Sequence, residues 1–203
     1  MNNPSLDIVI PIYNEGEKII ELFKKFDGNI KTNFRVLLCY DNNNDDVFDY
    51  KDRFNVFKFE IVMVKNPSTG PSAAIKEGLN YGNSECMIVY PADDLINFNI
   101  IDKMYMSFKN GNDIVVASRF MKGGSMKGCP IIKSILVRLA STTLYMFSSI
   151  PVRDASNGFR LFSRKLINLV KIESTLGFAY SLELLAKCNR MGLKISEIPA
   201  HWE

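Results

Sequence analysis

Residues 6–12 read LDIVIPI, and the polar run Tyr13-Asn14-Glu15 follows at once. A short, continuous apolar run rich in Ile and Val and broken by a proline is the pattern of a strand buried on both faces. Residues 16–27 then carry Ile19, Leu22, Phe23 and Phe26 at helical spacing. The alternation repeats down the chain. VLLCY at 36–40 predicts a second strand, ending in DNNNDD; FEIVMV at 59–64 predicts a third, followed by NPSTGPS and a helix over 72–82; CMIVY at 86–90 and IVVAS at 114–118 predict a fourth and fifth. Strands alternating with helices imply right-handed crossovers and an α/β fold with a mostly parallel central sheet flanked by helices. Ligands of such sheets sit beyond the carboxyl ends of the strands. The polar clusters fall at those ends: Tyr13 to Glu15, Asp41 onward, Asn66 onward, Asp93-Asp94, and Arg119.

The second half reads as more helical. Residues 131–149 (IIKSILVRLASTTLYMFSS) carry only Lys133 and Arg138 as charges. They suit a core helix, with a helix lying in a membrane interface as the alternative. Residues 160–172 and 180–191 also read as helices, and ISEIP at 195–199 as a late strand. With no repeat, low-complexity run or linker, one domain spanning 1–203 is expected.

Composition narrows the class. A 203-residue chain with 47% apolar and 23% charged residues can bury a core of its own. A net charge of +3 is too small to argue for a nucleic-acid partner and suits a ligand carrying phosphates. Four scattered cysteines without a C-x-x-C pair speak against a disulfide framework or a zinc site and for a reducing compartment, and the single His201 excludes a His-rich metal site. The N-terminal residues have no basic-then-apolar leader pattern. No window of about 18 residues is free of charge, so no spanning helix is expected.

Four clusters have residue types suited to chemistry, each with a plainer alternative. Asp93 and Asp94 close the fourth strand. Adjacent carboxylates there are costly unless a cation or hydrogen-bond donors compensate them, and hard oxygen ligands suit Mg²⁺ or Mn²⁺ holding a diphosphate; the alternative is a helix N-cap. Asp41 begins a run that either accepts an N–H from a nucleotide base or forms an Asx-rich turn, and the turn is favoured for residues 42–46. Arg119, Lys122, Lys127, Lys133 and Arg138 form a spaced basic set around Gly123, Gly124 and Gly128, suited to phosphates, although Lys122 and Lys127 read equally as surface lysines. Asp154 with Arg160 in DASNGFR (154–160) is either a catalytic carboxylate and its partner or a capped turn with a structural ion pair. Glu183, within FAYSLELLAK, needs a partner that the sequence does not name. His201 and Trp202 read as packing or frayed residues.

Taken together these motifs resemble the inverting family 2 glycosyltransferases of Rossmann-like glycosyltransferase-A fold, and within them the polyprenol-phosphate mannosyltransferase branch. The matched runs are IVIPIYNE (8–15), Asp41, NPSTGPSAAIKEGL (66–79), PADD (91–94), VVASRFMKGGS (115–125), DASNGFRLF (154–162), GFAYSLELLAK (177–187) and GLKISEIPAHW (192–202). The resemblance implies that Pro11, Tyr13, Glu15 and Asp41 line the nucleotide pocket, with Gly70 and Ala74 close by; Asn14, within the same polar run, is a further substrate-binding candidate. The resemblance gives Asp93, with Asp94 beside it, a divalent cation (Mg²⁺ or Mn²⁺) and the donor diphosphate. Arg119 and Lys133 would hold phosphates, with Arg138 added as a further substrate-binding cation from its charge alone, and Asp154 and Arg160 would lie beside the acceptor. Asp93, Asp154 and Arg119 are the catalytic candidates. Two family acids are replaced, by Tyr40 and Pro91, and Leu95 stands where a polar residue is common. Relatives usually continue beyond a position matching residue 203 with a basic motif and often membrane helices, so a truncated or minimal catalytic unit is expected.

The implied reaction moves a mannose- or glucose-type sugar from a GDP- or UDP-sugar to a polyprenyl or dolichyl phosphate with inversion, by a protein peripheral to the cytoplasmic face of a membrane. Two rivals stand beside it. One is transfer to a saccharide hydroxyl, with Asp154 as general base. The other is a nucleotide-sugar binding module without turnover, which the replaced acids would allow.

Overall fold

The computed structural model describes residues 4–175 and 177–203, the side chains of residues 131 and 133 excepted. Strand β1 (Leu6–Pro11) lies parallel to β2 (Phe34–Tyr40) and β4 (Cys86–Val89), and β3 (Glu60–Lys65) lies parallel to β2. The strand period of two divides β1 between two cores: Ile8 and Ile10 enter one and Val9 the other. Helix α1 (Gly16–Phe26) covers the first core with Ile19, Leu22, Phe23 and Phe26. Helix α2 (Pro71–Tyr81) covers the second with Ala74, Ile75 and Leu79. It approaches the sheet so closely at Gly78 that a methyl group there would collide with Val9 and Cys39.

The seven-stranded sheet has the order β3-β2-β1-β4-β7-β5-β8, where β5 is Ile114–Ser118, β6 (Ser125–Met126) lies outside it, β7 is Arg160–Ser163 and β8 is Ile195–Pro199. β7 corrects the helix expected over 160–172. Only Arg164–Leu169 is helical there, and RLFS instead forms a fully buried strand antiparallel to both β4 and β5. Four apolar-flanked residues carry too little periodicity to separate a central strand from a buried helix turn; the open slot between β4 and β5 decides it. The reversal has a functional consequence. Because β7 runs backwards, the segment that enters it (154–159) arrives at the same rim where the parallel strands end.

Helix α3 (Ile101–Lys109) lies beside β5, and α4 (Ile131–Phe147) corrects the core-helix expectation. Ile132, Ile135, Leu136, Leu139, Met146 and Phe147 are all exposed, Ile132 by 75% and Phe147 by 80%. The chain closes with α5 (Arg164–Leu169), α6 (Ala179–Arg190), β8, and a two-residue strand β9 (His201–Trp202) parallel to β6. Among the described residues no helix is long and apolar enough to cross a membrane. Glu183 on α6 finds the partner the sequence left unnamed: Lys187 Nζ lies 2.6 Å away, and the N–H groups of Glu173 and Ser174 donate to it at 2.8 Å.

Candidate active site

The carboxyl ends of β1, β2, β4, β5 and β8 and the entry to β7 surround one cavity of about 760 Å³. Pro11, Tyr13, Glu15, Asp41, Gly70, Ala74, Asp93, Asp94 and Arg119 all line it. Nine residues drawn from five separate stretches of sequence thus converge on one rim.

At the β2 end, Asp41 is held by two donors: Asn66 Nδ2 at 2.8 Å and the Gly70 N–H at 2.9 Å. Gly70 adopts φ +98°, a left-handed conformation that glycine alone adopts freely, and this turns its N–H toward Asp41. The acidic run after Asp41 is structural, as favoured. Asn42 Oδ1 accepts the Asn44 N–H at 2.8 Å in an Asx turn, while Asp45 and Asp46 accept the N–H groups of Asn14 and Gly16 at 3.0 and 2.9 Å. Asn14 therefore acts through its backbone, at φ +53°, and does not line the cavity. The run clamps the loop that presents Tyr13, which is 67% exposed.

Asp93 and Asp94 diverge. Asp94 accepts the N–H groups of Ile96 and Asn97 at 3.0 and 2.9 Å, the capping alternative of the sequence reading. Asp93 is exposed to the cavity and forms no hydrogen bond or ion pair among the described residues. No group of three or more His, Cys, Asp or Glu among the described residues is placed to hold a metal. Among the described residues lining the cavity, Asp93 is thus the carboxylate left free as a hard-oxygen ligand. That fits an ion whose remaining ligands are diphosphate oxygens and water, the way Mg²⁺ is usually held.

The third element is an ion pair. Asp154, fully buried, accepts Arg119 Nε at 2.7 Å, Nη2 at 2.9 Å and the Arg119 backbone N–H at 3.0 Å. Burial by itself would push this carboxyl up, but the Arg119 contacts and Ser156 outweigh it and hold it below its ordinary range. This corrects two expectations. Asp154 pairs with Arg119 rather than Arg160, and it does not line the cavity. Arg160 is also fully buried and away from the cavity, because it opens the central strand β7. It donates to the carbonyls of Ala155 at 2.5 Å and Ser181, and burial lowers its pKa to about 10. Arg138 lies on α4 with its guanidinium 5.0 Å over the Phe120 ring and is absent from the cavity wall. The side chain of Lys133 lies outside the described residues.

The glycosyl transferase family 2 model matches residues 7–170, which contain every strand of the sheet except Leu6 of β1 and the whole of β8. The chain belongs to glycosyl transferase family 2. Over 198 residues it is 24% identical to the dolichol-phosphate mannosyltransferase of Pyrococcus furiosus, covering 96% of this chain and 55% of that protein. Over 217 residues it is 24% identical to a dolichyl-phosphate beta-glucosyltransferase of Trichomonas vaginalis, covering 97% and 65%. The chain thus spans little more than half to two thirds of these relatives. Among solved structures, the glucosyl-3-phosphoglycerate synthase of Mycobacterium tuberculosis, crystallised with Mn²⁺, UDP and glucosyl-3-phosphoglycerate, superposes with a TM-score of 0.71 at 15% identity over 98% of this chain and 71% of that one. The fold is the glycosyltransferase-A fold.

Within this family 2 domain the sequence reading missed three parts of the site. Asn157 and Phe178 line the cavity, as do His201 and Trp202, which were expected to be packing or frayed residues. His201 and Trp202 form β9, and sequence gives little signal for a two-residue strand whose pairing partner lies 76 residues earlier.

Proposed function

We propose that this family 2 domain transfers a sugar from a GDP- or UDP-sugar to a polyprenyl or dolichyl phosphate, with inversion at the sugar. The observation that carries the reading is the state of the carboxylates around Arg119. Asp154 is buried and committed to Arg119, so the residue expected to deprotonate a hydroxyl acceptor has no access to one. A phosphate acceptor is already ionised at neutral pH and needs no such base. It needs a fixed cation instead, and Arg119 is one.

The roles follow the rim. Asp41, oriented by Asn66 and Gly70, accepts an N–H of the nucleotide base, and Tyr13 offers its exposed ring beside it. Asp93 would hold Mg²⁺ or Mn²⁺, which would neutralise the charge of the departing nucleoside diphosphate. Arg119 spends Nε and Nη2 on Asp154 and Ser156 and lines the cavity. Its planar fork, fixed on one side, positions the acceptor phosphate on the other. Lys133 and Arg138 serve the approach of the lipid phosphate rather than the reacting atoms.

The lipid acceptor places the protein at a membrane surface, on the cytoplasmic face. Support comes from α4, whose exposed apolar residues lie in a stretch, 119–153, with six Lys or Arg and no Asp or Glu. An apolar face among cations suits the interface of an anionic bilayer. The names of the two relatives agree with this acceptor class.

The test is release of nucleoside diphosphate from a panel of UDP- and GDP-sugars with Mn²⁺ or Mg²⁺, with and without a short polyprenyl phosphate. Release that requires the lipid phosphate and vanishes in Asp93→Asn supports the reading. Equal release with a saccharide acceptor, or a product of retained configuration, would sink it.

A further inference from the structure

The segment after β8 lines the cavity, and one buried side chain ties it down. Asn97, 2% exposed, makes a reciprocal pair with the His201 backbone. Its Oδ1 accepts the His201 N–H at 2.8 Å, and its Nδ2 donates to the His201 carbonyl at 2.6 Å. The side-chain amide thus imitates a neighbouring strand on the side of β9 that β6 leaves open. The same Nδ2 donates to Asp94 Oδ2 at 2.6 Å, so the anchor is set by the residue next to Asp93. On the β6 side, Lys127 N–H donates to the Trp202 carbonyl at 2.7 Å and Ser125 Oγ lies 2.8 Å from His201 Nδ1.

Topology says which end of the cavity this strap walls. In the sheet order β2, with Asp41, lies toward one edge and β8 forms the other, with Asp93 and Arg119 between them. A donor with its base at Asp41 and its diphosphate at Asp93 leaves the β8 end for the acceptor. Trp202 and Phe178 present half-exposed rings there.

The geometry points to Asn97 as a positioning residue that seats the 200–203 strap and so builds the aromatic wall of the acceptor end. Asn97 itself does not touch reacting atoms; it acts through Trp202. The identity of that end as the acceptor's rests on the function proposed above, whereas the seating of the strap does not.

Trp202 is the chain's only tryptophan, so its fluorescence reports the strap alone. Asn97→Ala removes the anchor, and Asn97→Asp keeps its shape while setting a carboxylate against Asp94 and the His201 carbonyl. In both, Trp202 emission should shift to the red and its quenching by acrylamide should rise, with far-UV circular dichroism and melting of the sheet retained. Ser125→Ala, which spares the backbone anchor, should quench as the unaltered protein does. With farnesyl phosphate as acceptor, both Asn97 variants should raise the acceptor KM on the order of tenfold and leave the donor KM unchanged. Unchanged emission and quenching in both variants would overturn the proposal, as would a freed Trp202 with both KM values moved equally. If the unaltered protein transfers nothing to farnesyl phosphate, the lipid-phosphate reading fails by itself. The anchor is then judged on fluorescence: a freed Trp202 upholds it and an unmoved one overturns it.

Discussion

Arg119 and Asp154, 35 residues apart, meet edge to edge, with Nε–Oδ2 at 2.7 Å and Nη2–Oδ1 at 2.9 Å, and the carboxylate is fully buried. The pair spans the end of β5 and the entry to the antiparallel β7. Breaking a buried pair from one side typically costs about 3–5 kcal/mol because the other charge is left uncompensated. Asp154→Ala should therefore lower the melting temperature sharply. Asp154→Asn should fold and keep donor affinity but lose turnover, since Arg119 is no longer fixed. Calorimetric melts and donor titration check both.

The same pair sets an acid limit. The Asp154 carboxyl is held below its ordinary value of 3.8, so its stabilisation is complete above that value and is lost as pH falls through the lowered one. Melting temperature followed downward from about pH 5 should fall less steeply in Asp154→Asn than in the unaltered protein. Parallel slopes would contradict the assignment.

Asp93 is exposed and unpaired among the described residues, so its replacement should cost little stability, within about 0.5 kcal/mol. Asp93→Asn should nonetheless cut metal-stimulated release of nucleoside diphosphate by roughly a hundredfold or more. Stability and turnover separate in this variant, and a fall in both together would mark Asp93 as structural.

Glu183 is a second depressed carboxyl, lowered to about 2: burial would raise it, but Lys187, Ser174 and the N–H of Glu173 outweigh burial. Its contribution is present above the ordinary carboxylate range and lost as pH falls toward 2. Glu183→Gln should speed hydrogen exchange at the Glu173 and Ser174 amides at neutral pH while leaving exchange in β1 and β4 unchanged.

The exposed face of α4 predicts sedimentation with vesicles containing anionic lipid, stronger at low salt. Leu136→Ser together with Leu139→Ser should weaken that binding without lowering the melting temperature, because both side chains are more than half exposed. A shift from dimer to monomer in the double variant, with vesicle binding unchanged, would give the face to a second copy of the chain.

Much of this was legible in the residues. LDIVIPI, VLLCY and CMIVY declared buried parallel strands, and the polar residues following them declared the rim. Period-two and period-3.6 patterns record which side of an element faces the core. Nine of the candidate residues consequently fall on one cavity.

What the sequence by itself determined is therefore local: which runs are strands, where each ends, and that Asp41, Asp93 and Arg119 follow strand ends. Tertiary structure decided every choice of partner. It paired Asp154 with Arg119 and buried Arg160, because β7 enters antiparallel between β4 and β5. It turned Asp94 into a cap and left Asp93 free, brought His201 back to Asn97 across 104 residues, and left the face of α4 uncovered. Hydrophobic periodicity encodes a direction into or out of the core but no address for the neighbour met there. Addresses separated by tens of residues are fixed only when the sheet order is.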